Sequence, residues 1–187
     1  GHADVLITED EAFVWHASLA EEGFGPARRV ARALDEDKGP RIVFADGTQS
    51  VYLADLSGDG LTDIVRIRNS EVCYWPNLGY GRFGAKVTMD NAPLFDHPER
   101  FNPAYLQLAD ISGTGATDLI YLGKNKFKAY LNYSGNAWSD ATEIEPFFPT
   151  EQPNKIAVTD LLGNGTACLV WSSPLPGDAR RPMQYVN

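Results

Sequence analysis

Asp55-Leu56-Ser57-Gly58-Asp59-Gly60-Leu61-Thr62-Asp63 is the stretch that decides the architecture, because the chain repeats it. The second copy is Asp110-Ile111-Ser112-Gly113-Thr114-Gly115-Ala116-Thr117-Asp118, and the third is Asp160-Leu161-Leu162-Gly163-Asn164-Gly165-Thr166-Ala167-Cys168. The leading Asp recurs after 55 and then after 50 residues. A near-constant period in this range marks a propeller, a solenoid or another array.

The similarity extends outward on both sides. Before each copy lies an alternating stretch: Val51 to Ala54, Leu106 to Ala109, and Ile156 to Thr159. After each comes an apolar run: Ile64 to Ile67, Leu119 to Leu122, and Leu169 to Trp171. A third stretch ends in Asn77, Asn132 or Asn187. Asn77 and Asn132 both lie 22 residues after their Asp, and Phe83 and Trp138 both lie 28 after theirs. The last copy carries a longer turn, within Ser172 to Arg181, which puts Asn187 27 residues after Asp160. Val5-Leu6-Ile7 and Phe13-Val14-Trp15 read as the second and third strands of an earlier unit, and Gly23-Phe24-Gly25 matches Arg82-Phe83-Gly84. Gly1-His2 reads as a tag remnant.

Short β-branched and aromatic strands between Gly-rich turns predict an all-β chain. The expectation is a β-propeller fragment of about three to four four-stranded blades, cut within a repeat at both ends. Its parts are a partial blade and connector over 3–39, one repeat over 40–92, a second over 93–150 and a partial third over 151–187. Ala27 to Asp37 has the composition of a short helix, stopped by Gly39-Pro40. Trp15, Trp75, Phe83, Tyr130, Trp138 and Tyr185 stand at matching positions, which is the pattern of core packing between blades. An incomplete ring would leave blade faces uncovered, so the isolated chain is expected to self-associate.

Composition limits the function. A net charge of −9 disfavours a nucleic-acid partner, which needs a basic face. Lys124, Lys126 and Lys128 alternate as if on one face of a strand, and read as a solvated edge that discourages sheet pairing. No apolar run reaches the ~18 residues of a membrane helix, so no membrane contact is expected of this segment. Cys73 and Cys168 read as small buried hydrophobes. His2, His16 and His97 share no spacing, with His97 read as a loop residue. No catalytic signature of the common classes is present, so the chain reads as non-enzymatic.

The repeated loop supports two chemistries. Ca²⁺ takes six to eight hard oxygens from a tightly turned loop. The first copy can offer Asp55, Ser57, Asp59 and Asp63 side chains with the Leu61 carbonyl. The second offers Asp110, Ser112, Thr114 and Asp118, with fewer carboxylates. The third keeps Asp160 and Asn164 but places Leu162 and Cys168 where oxygens are needed. Alternatively the leading Asp accepts hydrogen bonds from loop N–H groups and no metal is required. That reading covers all the copies, and makes Asp160, Gly163, Asn164 and Gly165 a structural turn. The glycines and the first Asp persist where other oxygens are lost, which favours the turn.

These repeats resemble the FG-GAP or VCBS repeats of integrin-type propellers. More closely, Phe101-Asn102-Pro103 with the segment from Leu108 to Tyr121, the segment from Asp160 to Leu175, and Trp75-Pro76-Asn77-Leu78-Gly79-Tyr80-Gly81 resemble the B component of bacterial insecticidal Tc toxin complexes, a region shared with SpvB-type virulence proteins of Salmonella. The resemblance covers roughly residues 40–187. It implies a secreted protein, cytoplasmic before release, whose propeller closes a toxin shell built with the C component. That propeller docks on the translocation channel of the A component and gates passage of the enzyme. The enzyme itself lies elsewhere. The FG-GAP likeness alone would instead imply a calcium-supported adhesion or carbohydrate-binding propeller.

Overall fold

Alternation of apolar and polar residues builds strands, and strands apolar on both sides must be sandwiched between layers. The computed structural model describes residues 2–41, 49–146, 156–172 and 183–186. Among these the chain is all-β, arranged as successive small antiparallel meanders. The first sheet is β1 (Val5–Thr8), β2 (Ala12–His16) and β3 (Arg28–Ala31), in that order. The second is β4 (Gln49–Ala54), β5 (Asp63–Arg68), β6 (Glu71–Trp75) and β7 (Val87–Thr88). The third takes β8 (Leu106–Ala109), β9 (Asp118–Leu122) and β10 (Phe127–Tyr130), then crosses a two-stranded ribbon, β11 (Asn132–Tyr133) and β12 (Ala137–Trp138), to β13 (Thr142–Ile144). The fourth is β14 (Ile156–Thr159), β15 (Cys168–Ser172) and β16 (Met183–Val186).

Every residue of β9 is buried, and β5 is buried up to its last residue. Strand periodicity sends alternate side chains to opposite neighbours. Ile64 packs with Phe13, Cys73 and Trp75 toward the first sheet. Val65 and Ile67 pack with Leu119, Tyr121 and Tyr130 of the third. Ile120 and Leu122 pack with Ile156 and Leu169 of the fourth. The second and third sheets are thus layers between the sheets that precede and follow them in sequence.

The repeat is visible in hydrogen bonds as well as in strands. The ribbon pair Asn132↔Trp138 has counterparts in the bridges Asn77↔Phe83 and Ser18↔Phe24. Ser139, Gly84 and Gly25 N–H groups donate to the Leu131, Pro76 and Ala17 carbonyls at 2.9, 2.8 and 2.8 Å. The connector after the first sheet is fastened by a buried cation. Arg66 is 3% exposed, pairs with Glu36 and Glu71, and lies over the Trp75 ring. The Trp75 indole N–H donates to the Glu36 carbonyl at 2.6 Å, and Lys86 also pairs with Glu36.

Several expectations are corrected. The helix expected from Ala27 to Asp37 is instead β3 followed by turns. Its residues complete the ladder of β2, with Phe13↔Val30 and Trp15↔Arg28, and the Arg28 and Arg32 guanidinium groups cover the Trp15 and Phe13 rings. Tertiary pairing outweighs a weak local helix preference. The three lysines do not line an edge. Lys124 and Lys126 lie in the β9–β10 turn, and Lys128 sits in β10, which is paired on both sides by β9 and β13. Of the matched aromatics, Trp15, Trp75, Tyr130 and Trp138 are buried and Phe83 is half-buried, but Tyr185 is 48% exposed. Tyr185 pairs with Val170, whereas Leu169 and Trp171 face the third sheet. Tyr185 therefore points away from that sheet. Asn187 and nearly all of the longer final turn lie outside the described residues.

Candidate functional site

The β4–β5 connection is the first copy of the loop. Gly58 and Gly60 have φ of 77° and 84°, in the left-handed region that favours glycine. This curls the backbone so that its N–H groups converge on one carboxylate. Asp55 accepts from Gly58 and Gly60 N–H at 2.7 and 2.8 Å, and from the Ser57 hydroxyl at 3.3 Å. Asp59 accepts from Leu61 N–H at 2.8 Å. Asp63 is fully buried and does something different. One of its oxygens accepts from Leu56 and Ser57 N–H at 3.0 and 3.2 Å, the other from Asn77 N–H at 2.9 Å. Burial pushes its carboxyl above the ordinary value, against the opposing pull of those N–H donors.

The second copy repeats this. Asp110 accepts from Gly113, Thr114 and Gly115 N–H at 2.7, 3.1 and 2.8 Å. Ser112 and Thr114 hydroxyls lie 3.1 Å apart. Buried Asp118 accepts from Ile111 and Ser112 N–H at 3.0 Å each, and from Asn132 N–H at 2.7 Å. In the third copy Asp160 accepts from Asn164 and Gly165 N–H at 3.1 and 2.9 Å. These loop N–H groups hold its carboxyl below the usual carboxylate range. Gly163 and Gly165 keep the same left-handed φ, 69° and 87°. Buried Cys168 stands where Asp63 and Asp118 stand, and the Leu161 N–H turns to the Thr159 carbonyl at 2.9 Å.

The turns also stack on one another. Thr117 N–H donates to the Asp55 carbonyl and Ala167 N–H to the Asp110 carbonyl, both at 2.8 Å. Asn132 adds a side-chain bond to the Leu56 carbonyl at 2.9 Å. The leading Asp thus shapes its own turn with its side chain and grips the next turn with its carbonyl.

The structure therefore brings Asp55, Ser57, Asp59 and Leu61 together in one turn, but takes Asp63 away into the backbone between loop and Asn77. Asp110, Ser112 and Thr114 likewise share a turn from which Asp118 is withdrawn. Among the described residues no group of three or more His, Cys, Asp or Glu side chains is placed to hold a metal ion. In the first turn the most buried carboxylate, Asp63, accepts backbone N–H bonds on both of its oxygens. Sequence reading missed the partnership of Asp63 with Asn77 and Asp118 with Asn132. Its signal was a shared separation of 14 residues.

No protein-family model and no curated protein matches the chain. Solved structures do. Over 97% of its residues the chain superposes on part of a Tc holotoxin pore of Photorhabdus luminescens, with 29% identity and a TM-score of 0.78. A TcdB2–TccC3 complex matches over 75%, with 31% identity and a TM-score of 0.67. The chain is similar to Tc toxin components. It spans only 8% and 7% of the length of those two chains. An Agrocybe aegerita lectin that recognises non-reducing terminal N-acetylglucosamine matches over 92% of this chain and 44% of its own, with 25% identity and a TM-score of 0.64. Among the described residues no helix is long and apolar enough to cross a membrane.

Proposed function

We propose that the chain is a non-catalytic β-propeller segment of a secreted toxin-complex component. It acts as scaffold, gate and docking surface for the translocation channel component. The observation that carries this is the likeness to a Tc holotoxin pore along 97% of the chain. Face-to-face layers joined by stacked turns suit consecutive blades built from FG-GAP-like repeats. The turn face also offers a surface for a protein partner. Leu19, Leu78 and Tyr133 follow Ser18, Asn77 and Asn132 in equivalent turns and are 47%, 54% and 57% exposed. One uncovered apolar side chain per unit, at a constant place, is what a repeating docking surface needs.

The test uses the whole protein that carries this segment, mixed with its channel component and followed by size-exclusion chromatography. A stable complex is expected, weakened by Leu78→Asp combined with Tyr133→Asp. Failure of the unaltered proteins to associate refutes the docking role.

A second reading, a carbohydrate-binding or adhesion propeller, is favoured by the similarity to the lectin. Calcium belongs with that reading. An ion entering the first turn would use Asp55, Ser57, Asp59 and the Leu61 carbonyl, and would have to draw Asp63 away from its N–H donors. The second turn, through Asp110, Ser112, Thr114 and Asp118, would bind more weakly. Calorimetry with Ca²⁺ decides it: heat from the first turn, abolished by Asp59→Asn, would favour the adhesion reading over the toxin-complex one.

A further inference from the structure

At the end of the third sheet opposite its Asp110 turn, a cleft of about 950 Å³ opens between the β9–β10 turn and the segment that enters the sheet from β7. Its wall is aromatic, formed by Phe101, Tyr105 and Tyr121. Phe101 and Tyr121 stack at 6.0 Å, and Tyr105 meets Tyr121 edge-on at 6.3 Å. Its rim gathers basic side chains in a chain whose net charge is −9. Arg100, Lys124, Lys126 and Lys128 converge there, against Asp96, Glu99 and Glu143.

The cations are unequally satisfied. Arg100 pairs with Asp96, and Lys126 with Glu143 and Glu145. Lys128 gives its ammonium to the Phe95 carbonyl at 2.8 Å, a neutral acceptor. Lys124 has no hydrogen bond or ion pair among the described residues. Glu143 lies directly across from Lys128 and is held below the usual carboxylate range, first by Lys126. The rim already stabilises one carboxylate, and Lys124 is open to another.

We propose that this cleft binds an acidic peptide segment of a partner protein, with carboxylates on Lys124 and Lys128 and an aromatic side chain against Tyr105, the half-buried ring of the wall. Ammonium donors reward carboxylates more than the neutral hydroxyls of a sugar, because a carboxylate adds the attraction of an opposite full charge to the hydrogen bond. A cleft of this size lies within the range of specific ligand sites. The site lies away from the stacked turns, and holds whichever whole protein the chain belongs to.

The test is fluorescence anisotropy with a fluorescein-labelled glutamate-rich peptide containing two phenylalanines. Binding is expected, and it should weaken steeply as salt rises, since rim charges are screened. Lys124→Gln should weaken it about 3-fold to 10-fold and Lys124→Glu more, as expected for a charge lost from a polar rim. Lys124 is an exposed turn residue, so both variants should melt like the parent. Lys38→Glu, on the connector after the first sheet, should leave affinity unchanged. Equal binding by Lys124→Glu and the parent overturns the proposal, as does equal weakening by Lys38→Glu. Capture of N-acetylglucosamine with no binding of the peptide overturns it too.

Discussion

Replacing Asp118 by Ala isolates the contribution of the buried carboxylate that closes the second turn. Three backbone N–H groups, from Ile111, Ser112 and Asn132, depend on it at 3.0, 3.0 and 2.7 Å, and the residue is fully buried. Each buried donor left without an acceptor costs about 1–3 kcal/mol. Water entering from the exposed loop side would rescue part of this, so a net loss of about 3–5 kcal/mol is expected. That is a large share of the roughly 5–15 kcal/mol that holds a typical domain folded. Asp118→Asn keeps one accepting oxygen and should lose about half as much. Asp160→Ala, at an exposed carboxylate whose donors can turn to water, should lose far less. The assay is urea unfolding followed by tryptophan fluorescence, with the slope checked for two-state behaviour. A loss below about 1 kcal/mol for Asp118→Ala, or one equal to that of Asp160→Ala, would refute the assignment of the carboxylate as the hub of the turn.

Three further outcomes are expected. Gly135 has φ of 76°, and a Cβ there would meet the Tyr74 hydroxyl and the Leu56 carbonyl; Gly135→Ala should lower the melting temperature, by about 2 kcal/mol of stability or more, in a thermal melt. Arg66 first, then Lys86, lower the Glu36 carboxyl, so its contribution to stability is present above the ordinary carboxylate value and fades as pH falls through that range. The melting-temperature gap between the parent and Glu36→Gln should therefore be widest near neutral pH and close below about pH 4; a gap that widens with acid would reverse the sign. Exposed Met183 and Tyr185 on the last sheet, 52% and 48% accessible, should drive concentration-dependent association. Sedimentation that stays at the 20.5 kDa monomer across a wide concentration range would count against it.

The sequence by itself determined the unit. Loop spacing, the strands on either side and the constant place of Asn77 and Asn132 follow from local chemistry, because turns and strand alternation are written in adjacent residues. The positive-φ glycines and the leading Asp of each turn were legible for the same reason. Tertiary structure decided what those residues face. Position nine of the loop looks like a metal ligand in one dimension. In three, Asp63 and Asp118 are buried against N–H groups contributed in part from 14 residues away. Arg28 to Ala31 became a strand because β2 offered an open ladder, and Lys128 became internal because β13 returned to cover β10. The stacking of one turn on the next through Asp55 and Asp110 carbonyls is likewise silent in sequence, since every residue carries the same backbone acceptor. The cleft beside Lys124 could not be read either, because its wall and its rim come from segments that meet only when the third sheet is formed.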